Sequence, residues 1–257
     1  MGMGKRTVAL SLLLSIAIAA AYAQATAREP LRFVFTCYEP ANYRDESGAP
    51  AGFFVDIVRE ALEVRLGVPV EMAVYPWPRC QYMVKEGLAD MMATIPTDER
   101  REYAVVVDTP IWIKRYKLYT VPGHPAIGVM DGVRSVEDLR RSGLVVISYL
   151  GNDWSRTTLE RAGVRIVNAS GVEGMYRMLL AGRADAAVED PILAERTLDS
   201  LGLSGRLVET DGIVEESSFH LMLGDRSPRV GLVDELNEAL AQMWADGTVA
   251  AIMDRYR

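Results

Sequence analysis

Residues 77–100, WPRCQYMVKEGLADMMATIPTDER, contain the pattern that decides the fold. Their central part, M-x-x-x-G-x-A-D followed by a short apolar run, recurs at residues 178–188 with the same glycine and aspartate. In each copy the glycine after the last periodic apolar residue indicates the end of a helix, and the apolar run after the aspartate indicates a buried strand. The repetition predicts two similar lobes.

Outside this repeat, short apolar strands alternate with amphipathic segments, beginning with a strand at residues 31–35 and a helix that starts near Phe54. This alternation predicts mostly parallel sheets flanked by helices. We expect lobe 1 to contain residues 29–119 plus 222–257 and lobe 2 to contain residues 120–221. Two crossings between the lobes, at the ends of lobe 2, would form a flexible hinge.

Three strand predictions concern the connection between the lobes. They cover residues 105–108, 117–121 and 217–223, and the last of these strands returns the chain to lobe 1. The C-terminal part is predicted to be helical, because apolar residues from Val230 onwards recur on one face after the start signal Ser227-Pro228.

The N-terminus has the pattern of a secretory leader. Lys5 and Arg6 precede an apolar run that ends in AYA, a small-x-small cleavage site. We therefore predict removal of residues 1–23 and a periplasmic mature protein, with an uncleaved anchor as the alternative. The formal charge of −7 becomes more negative without the leader. An acidic chain argues against nucleic acid and anionic membranes as partners.

Cys37 and Cys80 are the two cysteines of the chain. Export to an oxidising compartment favours a disulfide between them, and two buried thiols are the alternative. His124 and His220 lie far from each other and from the cysteines in sequence, so no spacing typical of a metal site is present. We expect no metal and no cofactor.

Charged and hydroxyl side chains at the ends of the repeated strands form the first part of a candidate ligand site. Arg100 follows the first strand, where a guanidinium can hold a carboxylate through two hydrogen bonds, and Thr94 and Thr97 can add hydroxyl groups. Asp190 follows the second strand and can accept hydrogen bonds from an ammonium group. The alternatives are a solvated arginine and a helix N-cap.

The second part of the candidate site consists of aromatic rings and a turn. Tyr38 and Trp77 can stack on a ligand, and Arg79 adds a second possible cation. Gly151 and Asn152 lie where a strand turns into a helix, so free backbone N–H groups can meet an anionic group there. Together these features predict a zwitterionic ligand held by both lobes, which would stabilise a closed form.

The chain also carries an ordered series of motifs: Gly52-Phe53-x-x-Asp56, Trp77, Gly87-x-x-Asp90, Thr97-x-x-Arg100, Asp108-x-Pro110, Asp138-Leu139, Gly151, Ala181-Gly182-x-x-Asp185-Ala186 and Asp246-Gly247-Thr248. This order resembles the periplasmic solute-binding proteins of polar amino acid ABC transporters, known as bacterial extracellular solute-binding protein family 3. The resemblance covers nearly all of residues 31–257.

The resemblance implies an α/β fold of the two-lobed periplasmic-binding-protein type (type II), with two mostly parallel sheets flanked by helices and a two-strand hinge. It also implies a monomer that captures a small polar, amino-acid-like solute by hinge closure and delivers it to an inner-membrane ABC permease.

The same resemblance implies roles for individual residues. In that family the arginine matching Arg100 binds the ligand α-carboxylate, the acidic residue matching Asp190 binds the α-amino group, and backbone near Gly151 and Asn152 assists. The loop before Arg100 is shorter here than in the family and contains Pro96. A dicarboxylate or another small organic ion is therefore an alternative ligand.

Two other functions fit the same fold. An enzyme resembling cyclohexadienyl dehydratase would need a general acid or base, for which Glu39, Asp153, Glu189 and His220 are the candidates. No arrangement of nucleophile, base and orienting group is visible, so we predict that the chain is not an enzyme. A module that presents ligand state to a membrane kinase is the other alternative.

Overall fold

The computed structural model describes residues 29–256, so the predicted leader at residues 1–23 lies outside the described residues. The strands are β1 Leu31–Phe35, β2 Tyr43–Arg44, β3 Pro50–Ala51, β4 Val70–Val74, β5 Met91–Thr94, β6 Ala104–Val106, β7 Trp112–Thr120, β8 Val145–Tyr149, β9 Arg165–Ala169, β10 Ala186–Glu189 and β11 Val208–Gly224.

The α-helices are α1 Phe53–Arg59, α2 Trp77–Lys85, α3 Asp98–Arg101, α4 Ile127–Asp131, α5 Val136–Ser142, α6 Val172–Leu180, α7 Pro191–Ser200, α8 Val233–Ala245 and α9 Thr248–Asp254. Two π-helical segments, Glu60–Arg65 and Ser155–Glu160, and one 3-10 turn, Val230–Leu232, complete the helical elements. No helix formed by residues 29–256 is both long and apolar enough to cross a membrane.

Nine strands form one continuous sheet in the order β4-β1-β5-β11-β7-β10-β8-β9, with β6 also paired to β11. Strands β4, β1 and β5 are parallel to one another, and so are β10, β8 and β9. Between these two groups, β11 and β7 run antiparallel to each other and to their neighbours β5 and β10. The sheet therefore has two parallel halves that are joined by a pair of antiparallel strands.

Helices cover both faces of each half, as the alternation of buried side chains requires. In the first half, Phe33 packs with α1, α8 and α9, whereas its neighbour Val34 packs with α2 on the other face. In the second half, Val146 and Ile147 likewise enter separate clusters of buried side chains. Each half thus has an apolar core of its own.

The first copy of the repeated pattern forms the predicted helix, turn and strand. Gly87 ends α2 with a φ of 69°, a conformation that favours glycine. Asp90 then accepts a hydrogen bond from the backbone N–H of Arg32 at 2.8 Å and donates its own N–H to the Arg32 carbonyl at 2.9 Å. The aspartate therefore ties the start of β5 to the start of the parallel strand β1.

The second copy repeats this geometry. Gly182 follows α6 with a φ of 70°. Asp185 accepts a hydrogen bond from the Val145 N–H at 2.7 Å and donates its N–H to the Val145 carbonyl at 2.8 Å, which ties β10 to β8. The repetition in the sequence is therefore a structural repetition as well.

The two joining strands are longer than predicted. Strand β7 begins at Trp112 rather than at residue 117, and β11 starts at Val208 rather than at residue 217. Their polar residues remain in the strands because the antiparallel ladder satisfies the backbone N–H and C=O groups. Register shifts in β11 after Glu209 and after Ile213 break the regular alternation and conceal the strand in the sequence.

Candidate functional site

A cavity of about 230 Å³ opens where β1 and β5 end. Tyr38, Trp77 and Thr94, all predicted as site residues, line it together with two buried or partly buried rings, Phe54 and Phe219. The remaining lining residues are Phe35, Thr36, Asn42 and Ala93. The carboxyl ends of parallel strands are where open α/β sheets place ligands, so this cavity is the first candidate for a binding site.

Arg100 lies beside this cavity, because its guanidinium sits over the ring of Trp77 at 5.2 Å from the centroid. The guanidinium donates to the carbonyl of Ile95 at 2.7 Å and to the side chain of Gln81 at 3.3 Å. Thr97 acts on the backbone instead, since its hydroxyl accepts the Arg100 N–H at 3.3 Å and caps α3. These contacts orient Arg100 and leave other guanidinium N–H groups for a ligand.

Lys114, which the sequence did not single out, lies at the centre of an aromatic group. Lys114 is buried, with 7% of its surface exposed. The ammonium donates to the Tyr38 hydroxyl at 3.0 Å and lies 4.5 Å from the ring centroid of Tyr116 and 6.0 Å from that of Trp112. Burial favours the neutral amine, but Tyr38, Tyr116 and Glu189 outweigh it and raise the pKa of Lys114 above its ordinary value. Lys114 is therefore a buried cation.

Asp190 is buried and takes the role of a helix N-cap, one of the alternatives that its sequence context allows. One carboxylate oxygen accepts the N–H of Ile192 at 3.0 Å, and the other accepts the N–H of Arg115 in β7 at 3.1 Å. Burial raises the pKa of this carboxyl, whereas the bond from Arg115 and the charge of Lys114 oppose the shift. Asp190 lines a different cavity, of about 200 Å³, beside Trp112.

The structure places three other predicted site residues away from the cavity at Tyr38. Gly151 and Asn152 line a separate concave surface at the end of β8, and Asn152 caps the following turn by accepting the Ser155 N–H at 3.1 Å. Arg79 lies over the ring of Tyr75, at 4.7 Å from its centroid. These three residues are thus not part of the wall that Tyr38, Trp77 and Thr94 form.

Cys37 and Cys80 are free thiols in the structure, so the predicted disulfide is not present there. Cys37 is exposed, whereas Cys80 is buried in α2 with its thiol 3.6 Å from the carbonyl of Tyr75. Burial raises the pKa of the Cys80 thiol to about 11. The alternative of two buried thiols is therefore correct for Cys80 alone.

The four candidates for a general acid or base do not converge. Asp153 pairs with Arg156 at 2.9 Å, and Nδ1 of His220 lies 2.9 Å from the carbonyl of Val107. Glu189 ends β10, and Glu39 pairs with Arg196. None of the four lines the cavity at Tyr38. Residues 29–256 also contain no group of three His, Cys, Asp or Glu side chains that could hold a metal ion.

An ion pair links the two halves of the sheet near the site. Glu39 lies in the loop after β1, and Arg196 lies on α7, which packs with the second half through Leu198. Both side chains are about half exposed, at 54% and 42%. The pair therefore connects the halves through a surface contact.

The amino-acid sequence matches one family along most of its length. The family model described as bacterial extracellular solute-binding proteins, family 3, matches residues 33–257. A probable amino-acid ABC transporter-binding protein of Haemophilus influenzae is 26% identical over 226 residues, covering 84% of this chain and 79% of the relative. The L-cystine-binding protein TcyJ of Escherichia coli K12 is 25% identical, covering 85% of this chain and 79% of the relative.

A solved structure shares the fold. The L-cystine solute receptor of Neisseria gonorrhoeae, crystallised in the unliganded open conformation, has a TM-score of 0.70 and 19% identity, and the match covers 88% of this chain and 92% of that one. The predicted fold class, a two-lobed type II periplasmic-binding-protein fold, is therefore confirmed.

Proposed function

The chain belongs to the bacterial extracellular solute-binding proteins, family 3, and we propose that this solute-binding protein captures a small polar, amino-acid-like solute in the periplasm and delivers it to an ABC permease. We further propose that residues 29–119 plus 222–257 and residues 120–221 are lobes that close about β7 and β11. The chain would work as an exported monomer after removal of residues 1–23, without a catalytic step. The named relatives are binding proteins rather than enzymes, which supports this proposal.

The observation that carries the proposal is the placement of Arg100 over Trp77, beside the cavity at the ends of β1 and β5. A guanidinium held in this position can bind the carboxylate of an amino acid through two N–H groups. The rings of Tyr38 and Trp77 would pack on the ligand, and the hydroxyl of Thr94 would add a hydrogen bond.

Asp190 keeps a place in the proposal as the acceptor for the ligand ammonium group. Each of its carboxylate oxygens accepts one backbone N–H from the protein, and a carboxylate oxygen has two lone pairs. Gly151 and Asn152 belong to the second half of the sheet, and we propose that they meet the ligand when the lobes close. Arg79 would remain at Tyr75 and take no part.

A thermal-shift panel of the twenty common amino acids, L-cystine, dicarboxylates and amines tests this function on the purified mature protein. A ligand at one hundred times its dissociation constant should raise the free energy of unfolding by about 2.7 kcal/mol. Arg100→Ala should remove the response to the best ligand. Arg101→Ala is the matched control, because Arg101 lies on the same short helix and is exposed.

Two results would contradict the proposal. If the parent protein responds to no amino acid, the ligand class is wrong. If Arg100→Ala responds as strongly as the parent and Arg101→Ala do, the ligand site lies elsewhere. Turnover of the best ligand, detected by product analysis, would instead identify an enzyme.

A further inference from the structure

Lys114 is an unusual residue because it buries a positive charge without a direct ionic partner. Among residues 29–256, no carboxylate oxygen forms a salt bridge with its ammonium group within 4.0 Å. The nitrogen contacts the Tyr38 hydroxyl at 3.0 Å and the faces of nearby aromatic rings. Its surroundings nevertheless favour the charged form, because Tyr38, Tyr116 and Glu189 raise the pKa of Lys114 above its ordinary value.

The two acidic residues that interact electrostatically with Lys114 accept hydrogen bonds from the backbone. Glu189 accepts the N–H of Asp190 at 2.9 Å, and Asp190 accepts the N–H groups of Arg115 and Ile192. Burial raises the pKa of both carboxyls, and the charge of Lys114 opposes that shift. Lys114 is therefore close enough to influence them, but neither is its ion-pair partner.

Tyr38 connects Lys114 to the ligand cavity. The Tyr38 oxygen accepts a hydrogen bond from Lys114, while its ring lines the cavity beside Trp77 and Phe219. A hydroxyl that accepts from an ammonium group keeps its own hydrogen for donation. The Tyr38 hydroxyl and Lys114 thus form a polarised donor pair, and the group that fits next to it is a hydrogen-bond acceptor, preferably an anion.

The aromatic rings around Lys114 are also no longer available to a ligand cation. The faces of Tyr116, Tyr38 and Trp112 already surround the Lys114 ammonium at 4.5, 5.8 and 6.0 Å. A second cation would meet a like charge in a poorly solvated setting, where repulsion is stronger than in water. The arrangement therefore disfavours ligands with a basic side chain.

From this geometry we propose that Lys114 is a specificity residue and that the cleft selects amino acids carrying a second carboxylate, remote from the one that Arg100 would bind. This inference rests on the proposed solute-binding function and adds the ligand class to it. Lys114 and Tyr38 hold the remote carboxylate, and amino acids with a basic side chain are excluded.

Isothermal titration of the purified protein with isosteric ligand pairs tests the inference. L-Glutamate against L-glutamine and L-aspartate against L-asparagine differ only in the remote carboxylate, L-cystine provides a longer ligand with a second carboxylate, and L-lysine provides the basic side chain. The best two-carboxylate ligand should bind the parent protein at least about tenfold more tightly than any neutral or basic one.

Lys114→Met replaces the ammonium with an apolar chain of similar length and should reduce this preference to about threefold or less, because the remote carboxylate loses its counter-charge. Tyr38→Phe keeps the ring and removes only the hydroxyl, so it should weaken the same ligand without admitting L-lysine. The preference of the parent protein needs no variant, so the inference can be tested even if Lys114→Met does not fold.

The outcomes separate the inference from the function on which it rests. Equal or tighter binding of neutral or basic amino acids to the parent protein overturns the inference and leaves the solute-binding function intact. An unchanged preference in folded Lys114→Met overturns the role of Lys114. If the parent binds no amino acid, both the proposed ligand class and this inference are wrong.

Discussion

The two copies of the helix, glycine, aspartate and strand unit are alike up to the last residue of the strand and different beyond it. Asp90 and Asp185 make the same pair of hydrogen bonds to a neighbouring parallel strand. After β5 the chain places Arg100 over the partly buried ring of Trp77, whereas after β10 it buries Asp190 as a helix cap. The same scaffold is therefore followed by a partly exposed arginine in one half and by a buried helix cap in the other.

The largest effect on stability should come from Asp90, and the matching residue Asp185 should contribute less. Asp90→Ala should lower the free energy of unfolding by about 3 kcal/mol, because it leaves the Arg32 N–H and the Ser227 hydroxyl without their acceptor in a buried setting. Asp185→Ala should cost about 1 kcal/mol, since Asp185 is partly exposed and water can replace it. Urea unfolding of both variants measures the difference. Equal losses in the free energy of unfolding would show that the two aspartates contribute equally to stability.

The helix caps that follow the two repeated strands should have the next largest effect on stability. Asp190→Ala removes the cap of the ten-residue helix α7 and the acceptor for Arg115, so it should cost about 2 kcal/mol. Thr97→Ala removes the cap of the four-residue, exposed helix α3 and should cost about 0.5 kcal/mol. Thermal unfolding without ligand compares them. A larger loss of stability for Thr97→Ala would contradict the expectation that the Asp190 cap is the more stabilising of the two.

The ion pair between the halves should contribute less. A double-mutant cycle with Glu39→Ala and Arg196→Ala should give a coupling energy below about 1 kcal/mol that declines with added salt, because both side chains are about half exposed. The pair of Glu173 with Arg177, which lies on one helix and is also about half exposed, is the matched control. A larger, salt-insensitive coupling would mean that this contact holds the halves together.

The two thiols should differ clearly in their reactivity, although they should have the smallest effect on stability. At pH 8 a thiol reagent should modify the exposed Cys37 and spare Cys80, which is buried and whose pKa burial raises to about 11. One thiol should therefore react in the native protein and two after unfolding, and Cys37→Ser should show none in the native state. If neither thiol reacts until a reductant is added, the disulfide predicted from the sequence exists.

Much of the fold follows from local pattern. The strands 31–35 and 91–94 and the helix 191–200 begin and end where the sequence predicts, because each has a sharp apolar period and a clear start or stop residue. The length of β11 does not follow from local pattern, since pairing with β7, rather than its own composition, keeps its polar half in the strand. Context outweighs propensity in such a strand.

The candidate site was predictable only in part, for a similar reason. Tyr38, Trp77 and Thr94 share one cavity because they lie at strand ends, which sequence order reveals. Lys114 is one of three basic residues in β7, a composition that ordinarily indicates a solvated face, and only the assembled fold brings three aromatic rings around it. Its alternation with Trp112 and Tyr116 on the same strand face was the one local signal.

The tryptophans around the site give the molecule a built-in optical signal. Trp77 lies in the cavity wall beneath Arg100, Trp112 lies near the Lys114 ammonium, and Trp154 stacks on Tyr116 with centroids 3.8 Å apart. Charge placed near an indole shifts its emission, so a bound solute should change the intrinsic fluorescence without any attached dye. Replacing Trp77 or Trp112 with phenylalanine, one at a time, would then distinguish the fluorescence change that comes from the cavity wall from the change that comes from strand β7.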